Sequence, residues 1–306
     1  MVDSVPEPGS RIAVAGASGL IGGALARSLA KDGYEVVRLV RRPPRAGDEI
    51  RWDPAELYVD TAALEGCAAV VNLAGAPVSG RRWTEAYKRR IHDSRVLGTR
   101  TLATAVAALD PPPRVFVNGS AIGIYGETGD NAVDETAPAG DGFLPSLCVE
   151  WEAAAEPARQ AGVRTVLLRT GLVVSREGGA WQTLFPLFKA GLGGRLGDGR
   201  QYWSYVALHD EVAAIRHLMD DATLSGAFNL TAPKPLTNRE ITEAMGRVLH
   251  RPTLFTAPAP ALRLALGEMA GDVLRGQRVL PARLLESGFV FAFPGIEETL
   301  RAALRP

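Results

Sequence analysis

Cysteine is scarce: among 306 residues only Cys67 and Cys148 carry thiols, and neither stands beside another ligand-type pair. A disulfide framework and a zinc site are therefore unsupported, no metal is expected, and a reducing cytoplasmic compartment is the default. A surplus of either charge is also missing. Lys plus Arg total 34 and Asp plus Glu total 34, for a net charge of zero. That balance argues against general nucleic-acid binding and against electrostatic attachment to a membrane. No run reaches the roughly 18 apolar residues that a membrane helix needs. The richest stretch, Ala261 to Ala270, is interrupted by Arg263 and Glu268. Residues 1–10 hold Asp3, Glu7 and two prolines where a secretory signal needs a basic start and an apolar core, so they read as a flexible tail. What is present, 46% hydrophobic and 22% charged residues, is the composition of a globular protein large enough for an α/β domain with an appendage.

The chain is organised around Arg11 to Gly22, R-I-A-V-A-G-A-S-G-L-I-G. Ile12 to Ala15 form the short apolar run of a parallel strand covered on both faces. Ile21, Leu25 and Leu29 then recur every four residues, so a helix follows. Gly16, Gly19 and Gly22 lie where strand becomes helix, and Ala17, Ser18, Leu20 and Ile21 fill the bend between them. A helix start leaves N–H groups unpaired and carries partial positive charge, while glycines let a pyrophosphate approach the backbone. The spacing G-x-x-G-x-x-G differs from the commoner G-x-G-x-x-G, but its place between a strand, a helix and a second strand (Glu35 to Val40) points to a dinucleotide site.

At the end of that second strand stand Arg41 and Arg42, with no acidic residue at the tip. Arginine there accommodates a 2′-phosphate, which favours NADP(H) over NAD(H); the alternative is a solvated loop with surface arginines. A further strand, Ala68 to Leu73, runs into Asn72-Leu73-Ala74-Gly75-Ala76, small residues suited to a cofactor lying over the sheet edge or to a tight turn. The segment Gly80 to Leu109 starts basic and aromatic at Arg81, Arg82 and Trp83, and its body is predicted to be a long helix with the seam Ile91, Arg95, Gly98, Leu102, Ala105 and Leu109. An arginine on a buried seam needs an anion, so Arg95 should meet a carboxylate of the protein or a phosphate of the cofactor. Arg114 to Asn118 is the next strand, and Ser120 just beyond its tip is placed either to hydrogen-bond a reacting carbonyl or to form a turn. A helix over Leu144 to Gln160 and a strand over Thr165 to Arg169 complete the repeating β and α units, which extend to about residue 175. Beyond lie glycine-rich and aromatic loops with Arg195 and Arg200, suited to a substrate pocket, and His209-Asp210-Glu211, where Asp210 is predicted to cap the helix Val212 to Met219. An extended segment or strand is expected over Phe289 to Phe293.

G-A-S-G-L-I-G at 16–22, N-L-A-G at 72–75, R-R-W-T-E from Arg81, S-R-V-L-G-T at 94–99, L-R-T-G at 168–171 and G-Q-R-V-L-P at 276–281 resemble, over nearly the whole chain, an atypical extended short-chain dehydrogenase/reductase of the epimerase family branch. The resemblance implies an α/β fold: a Rossmann-type doubly wound parallel sheet over 11–175, to which later segments return, and a smaller mixed substrate region over 176–306. It also implies that a catalytic Tyr and Lys, four apart, would fall at 144 and 148, where this chain has Leu144 and Cys148. Tyr125 is the nearest replacement, shaping the pocket or transferring a proton. Arg95 stands where relatives usually have asparagine, which suggests contact with the NADP(H) phosphates or pocket.

The expected site thus holds NADP(H) with Gly16, Ala17, Ser18, Gly19, Leu20, Ile21, Gly22, Arg41, Arg42, Leu73, Ala74, Gly75 and Arg95, and presents Ser120 and Tyr125 as catalytic candidates. The function expected is an oxidoreductase or epimerase-like activity on an unidentified small molecule; the alternative is a non-catalytic NADP(H) sensor or interaction protein. No nucleic-acid or membrane partner is expected, and substrate and oligomeric state stay open.

Overall fold

A computed structural model describes residues 6–79 and 81–305. Eight strands form one sheet. They are β1 (Arg11–Ala15), β2 (Glu35–Val40), β3 (Glu49–Asp53), β4 (Tyr58–Val59), β5 (Cys67–Asn72), β6 (Val115–Ala121), β7 (Arg164–Thr170) and β8 (Gly226–Leu230). Their order is β8-β7-β6-β5-β1-β2-β3-β4, and every pairing is parallel except β3 with β4. Ile12, Ala13, Val14 and Ala15 are completely buried, as expected for the central strand of a sheet covered on both sides. Order reverses between β1 and β5, so a crevice opens beyond their carboxyl ends, the usual place for a ligand in such sheets.

The helices that matter here are α1 (Leu20–Lys31), α2 (Glu85–Ala107), α3 (Phe143–Ala153), α4 (Glu156–Gln160), α5 (Trp181–Lys189), α6 (Leu208–Asp220), α7 (Asn238–Leu249), α8 (Ala259–Leu266) and α9 (Ile296–Leu304). Leu102, Val106 and Ala158 pack with Ala13, Val70 and Phe116 on one face of the sheet. Leu25, Leu29, Val212, Ile215 and Leu218 pack with Ile12, Val14, Val117 and Leu168 on the other. A third core, built from Trp181, Phe185, Tyr205, Ile241, Met245 and Leu300, underlies the carboxyl-terminal region.

One expectation about the elements changes. The helix predicted over Leu144 to Gln160 divides into α3 and α4, because Pro157, in the first turn of α4, has no N–H to continue the earlier ladder. The segment that returns to the sheet from beyond residue 175 is β8, which pairs with β7. Of the strand or extended segment expected over Phe289 to Phe293, no strand forms, and Phe289 and Phe291 pack against the core that holds Leu25 and Ile215. Of the expected tail, residues 1–5 lie outside the described residues, as does Gly80. From Pro6 onward the tail is tied down: the Tyr34 hydroxyl donates to the Pro6 carbonyl (3.1 Å) and the Gly9 N–H to Gly33 (2.9 Å). Among the described residues no helix is long and apolar enough to cross a membrane, and no cluster of potential ligands could hold a metal.

Candidate active site at the carboxyl edge of the sheet

The three glycines at the bend do different work. Gly16 has φ +81°, and a Cβ there would lie 2.6 Å from the Leu73 carbonyl carbon and oxygen. A Cβ on Gly22 would lie 2.3 Å from the Gly16 carbonyl oxygen. Both are therefore required by packing of chain on chain. Gly19 meets only the Gly16 oxygen, at 3.3 Å. It is also the residue that begins α1, and no side chain caps that helix or places an acid in its first turn. Ser18 and Gly19 are exposed, Leu20 is half-buried, and Ala17 and Ile21 pack against the core below. The result is a cleared, uncapped helix start with N–H groups available to an anion, which fits a diphosphate.

The loop after β5 forms the opposite wall. Leu73 donates its N–H to Ala15 (2.9 Å), and Asn72 Oδ1 accepts from the Ala74 N–H (3.3 Å), so Asn72 does make a tight turn. Its amide nitrogen donates to Asn118 Oδ1 (2.8 Å) and Thr99 Oγ1 (3.1 Å), binding β5 to β6 and α2. Behind Gly75 lies Arg95: a Cβ on Gly75 would be 3.1 Å from the guanidinium carbon. Arg95 Nη1 donates to the carbonyls of Ala76 (3.0 Å) and Ile91 (3.1 Å), and the guanidinium sits 5.1 Å from the Trp151 ring centroid. No carboxylate pairs with it among the described residues, so the protein carboxylate that was one of the two anions expected for Arg95 is not there, and two carbonyl oxygens take its place. Burial pushes its pKa down, the signature of a cation held away from water without a full counter-charge.

At the far end of β2, Arg41 is exposed and makes no hydrogen bond or ion pair with the described residues. Arg42 is engaged: Nη1 donates to Glu49 Oε2 (2.8 Å) and Nη2 to Oε1 (2.6 Å).

Ser120 and Tyr125 belong to one buried network. Ser120 Oγ donates to Glu152 Oε1 (2.6 Å). Arg169 grips the same carboxylate with Nε (2.8 Å) and Nη2 (3.0 Å), and its Nη1 donates to the Tyr125 hydroxyl (2.9 Å). That hydroxyl in turn donates to Asn229 Oδ1 (2.7 Å), and Asn229 Nδ2 donates to the Leu280 carbonyl (2.9 Å). Ser120 and Arg169 face each other in register across β6 and β7. The serine hydroxyl thus points to α3, on the face opposite its neighbour Ala121, and its proton is already given to a carboxylate. Tyr125 is equally committed, and burial raises its pKa. Sequence reasoning placed both residues at the strand tip but missed Glu152, Arg169 and Asn229. A charged residue closing the apolar run of β7 was the available signal for Arg169.

Leu144 lies against Gly123, where a Cβ would be 3.5 Å from its own. The Cys148 thiol is pushed up to about 12 by burial, so it is neutral at physiological pH. Leu144 has no ionisable proton, Cys148 holds its proton too tightly to be an effective acid near neutrality, and neither carries a positive charge.

Asp210 does not cap α6, whose preceding residue Ala207 has no side-chain cap. Its carboxylate instead accepts from the N–H groups of Ala292 (3.0 Å) and Phe293 (2.9 Å), fastening the returning chain. Glu211 is fully buried; Oε1 accepts from Thr170 Oγ1 (2.8 Å), Oε2 has no partner, and burial raises its pKa to about 8. A cavity of about 710 Å³ lies apart from all this, between α1, α6 and α9, lined among others by Ala24, Arg176, His209 and Ala302. None of the residues expected to hold the cofactor or to be catalytic lines it, although His209 of the His209-Asp210-Glu211 trio does. The crevice at the sheet edge remains the better site, because there a glycine-cleared backbone meets an uncapped helix start with no acid in its first turn, and Arg95 lies behind Gly75.

Residues 12–230 match the model of the NAD dependent epimerase/dehydratase family, and residues 257–303 match a domain of unknown function, DUF1731. Epimerase family protein Mb2239 of Mycobacterium bovis is 46% identical over 297 residues, covering 96% of this chain and 98% of that protein. The crystal structure of human epimerase family protein SDR39U1 (isoform 2) with NADPH superposes with a TM-score of 0.89 at 32% identity, covering 96% of this chain and 98% of the other. A nucleoside-diphosphate sugar epimerase from Corynebacterium glutamicum gives 0.80 at 32% identity, covering 97% of this chain and 58% of the other.

Proposed function

Because the chain belongs to the NAD dependent epimerase/dehydratase family, we propose that it binds NADP(H) at the edge between β1 and β5 and acts on a small molecule as an oxidoreductase or epimerase-like protein. The observation that carries this is the start of α1, uncapped and cleared of side chains at Gly19, beside a second-strand tip that carries arginine and no acid. The human relative crystallised with NADPH supports it. Gly16 to Gly22 would hold the diphosphate through backbone N–H groups. Leu73, Ala74 and Gly75 would form the wall beneath the dinucleotide, and Arg95 would present its half-free guanidinium there. The reduced cofactor, when bound, supplies a hydride.

Proton supply distinguishes this chain. The Ser120 and Tyr125 hydroxyls already donate hydrogen bonds to Glu152 and Asn229, Leu144 has no ionisable proton, and burial makes the Cys148 thiol a poor acid near pH 7. Ser120 and Tyr125 are better described as positioning residues that hold β6, α3, β7 and β8 in register. A second reading is favoured by the same observation: a non-catalytic NADP(H) sensor that kept the cradle without a proton donor. Calorimetric titration with NADPH and NADH tests the binding, with NADPH expected to bind more tightly by about tenfold or more; equal affinities would remove the 2′-phosphate argument. Turnover of NADPH with any member of a carbonyl and nucleotide-sugar panel would defeat the sensor.

A further inference from the structure

Two adjacent arginines follow β2, and the fold treats them differently. Arg42 forms a paired, two-pronged contact with Glu49, Nη1 to Oε2 at 2.8 Å and Nη2 to Oε1 at 2.6 Å. Its Nη1 also donates to the Pro43 carbonyl (2.9 Å). The Arg45 N–H adds a third donor to Glu49, at 2.7 Å, and Arg38 Nη2 lies 3.5 Å from the same carboxylate while pairing with Asp48 at 2.7 Å. Glu49 is the first residue of β3, in register with Arg38, and its side chain is only 3% exposed. The carboxylate is therefore fixed by the sheet, and both its oxygens are satisfied. Arg41 is exposed and makes no hydrogen bond or ion pair among the described residues.

We propose that Glu49 is a built-in anion that withdraws Arg42 from the cofactor crevice, so that Arg41 alone reads the adenosine 2′-phosphate and Glu49 sets how strongly NADP(H) is preferred. Resting on the NADP(H) reading above, it divides a pair of residues that the sequence presents as equivalent. Glu49 and the Pro43 carbonyl take three of the five Arg42 N–H donors and hold the guanidinium beside β3, so a phosphate that drew Arg42 away toward the crevice would break two charge-assisted hydrogen bonds and leave a buried carboxylate short of partners, whereas recruiting Arg41 breaks nothing. Arg42 instead ties the 42–49 loop, spanning Pro43 and Glu49, and so shapes the floor under either dinucleotide.

The experiment is calorimetric titration of the full chain with NADPH and with NADH, read as the ratio of their affinities in wild type, Arg41→Ala, Arg42→Ala, Glu49→Ala and the double variant Arg42→Ala/Glu49→Ala. In Arg41→Ala the ratio is expected to fall about tenfold with NADH affinity unchanged, the size of one lost charge-assisted contact. In Arg42→Ala both affinities fall together and the ratio holds. Glu49→Ala frees Arg42 and raises the ratio; the double variant returns it to the wild-type value. A ratio that collapses in Arg42→Ala, survives in Arg41→Ala, or does not move in Glu49→Ala overturns the proposal while leaving NADP(H) binding intact. A wild type without preference for NADPH overturns both.

Discussion

Gly16 and Gly19 lack a side chain for different reasons, one packed against the Leu73 carbonyl and the other exposed, with the Gly16 carbonyl oxygen at 3.3 Å as its one near neighbour. Gly16→Ala would press a methyl to 2.6 Å from the Leu73 carbonyl at φ +81°. Strain and overpacking together should destabilise the fold by about 3 kcal/mol in urea unfolding. Gly19 has φ −82°, ordinary for any residue, so Gly19→Ala should change stability by less than about 0.5 kcal/mol. It should nonetheless weaken NADPH binding by about tenfold or more, because the methyl occupies the approach to the helix start. Wild-type NADPH affinity in Gly19→Ala would show that the cradle lies elsewhere. The spacing of the glycines marks the bend in the sequence, but not which glycine serves which purpose. That depends on where Leu73 leaves β5, some fifty residues later in the chain. Arg41 and Arg42 pose the same difficulty: only the pairing of β2 with β3 brings Glu49 to one of them and not the other.

Periodicity identified β5 and β7 to within a residue, since runs such as Cys67–Asn72 and Arg164–Thr170 have to be largely apolar to lie between two helical layers, whereas β6 runs on to Ala121, three residues past the expected Asn118. Helix ends were less legible. At the start of α6, Asp210 has the residue type of a cap but reaches instead to Ala292 and Phe293, partners whose approach no local pattern records. Its neighbour Glu211 has a consequence for stability. Burial raises its pKa from 4.5 to about 8, so between those values the native state keeps a proton that the unfolded chain releases. The stability of the neutral carboxyl is fully present below pH 4.5 and is lost as the pH rises through 8. Urea unfolding at pH 5 and pH 8.5 should therefore show a fall in stability, with Glu211→Gln, which keeps an acceptor for Thr170, showing a smaller one. Identical falls in the two proteins would refute the assignment.

Across the whole molecule, the network from Ser120 through Glu152, Arg169 and Tyr125 to Asn229 joins the glycine-bearing half of the sheet to the strand that returns from beyond residue 175. Glu135 reinforces the join, accepting from the Asn229 N–H (2.9 Å) and the Arg283 N–H (3.3 Å). Arg169 is its hub, with side-chain exposure of 12%, equal to that of Glu152. Removing one partner of a buried pair leaves the other uncompensated, so Arg169→Ala should destabilise by about 3–5 kcal/mol. Ser120→Ala removes one of three donors to Glu152 and should cost about 1 kcal/mol. Chemical denaturation that ranks the two variants equally would contradict this hierarchy. The α/β architecture was legible because alternating strands and helices admit few topologies. This long-range wiring was not, because each of its links spans tens of residues and none has a local pattern.

The return of β8 also fixes an order of events during synthesis. While the ribosome is still producing the stretch between 175 and 226, β7 is an open edge and Tyr125 lacks the amide that takes its proton. The nucleotide cradle at the amino end thus emerges long before the sheet that supports it can be sealed, and a nascent chain interrupted in that interval exposes a sticky β7 border.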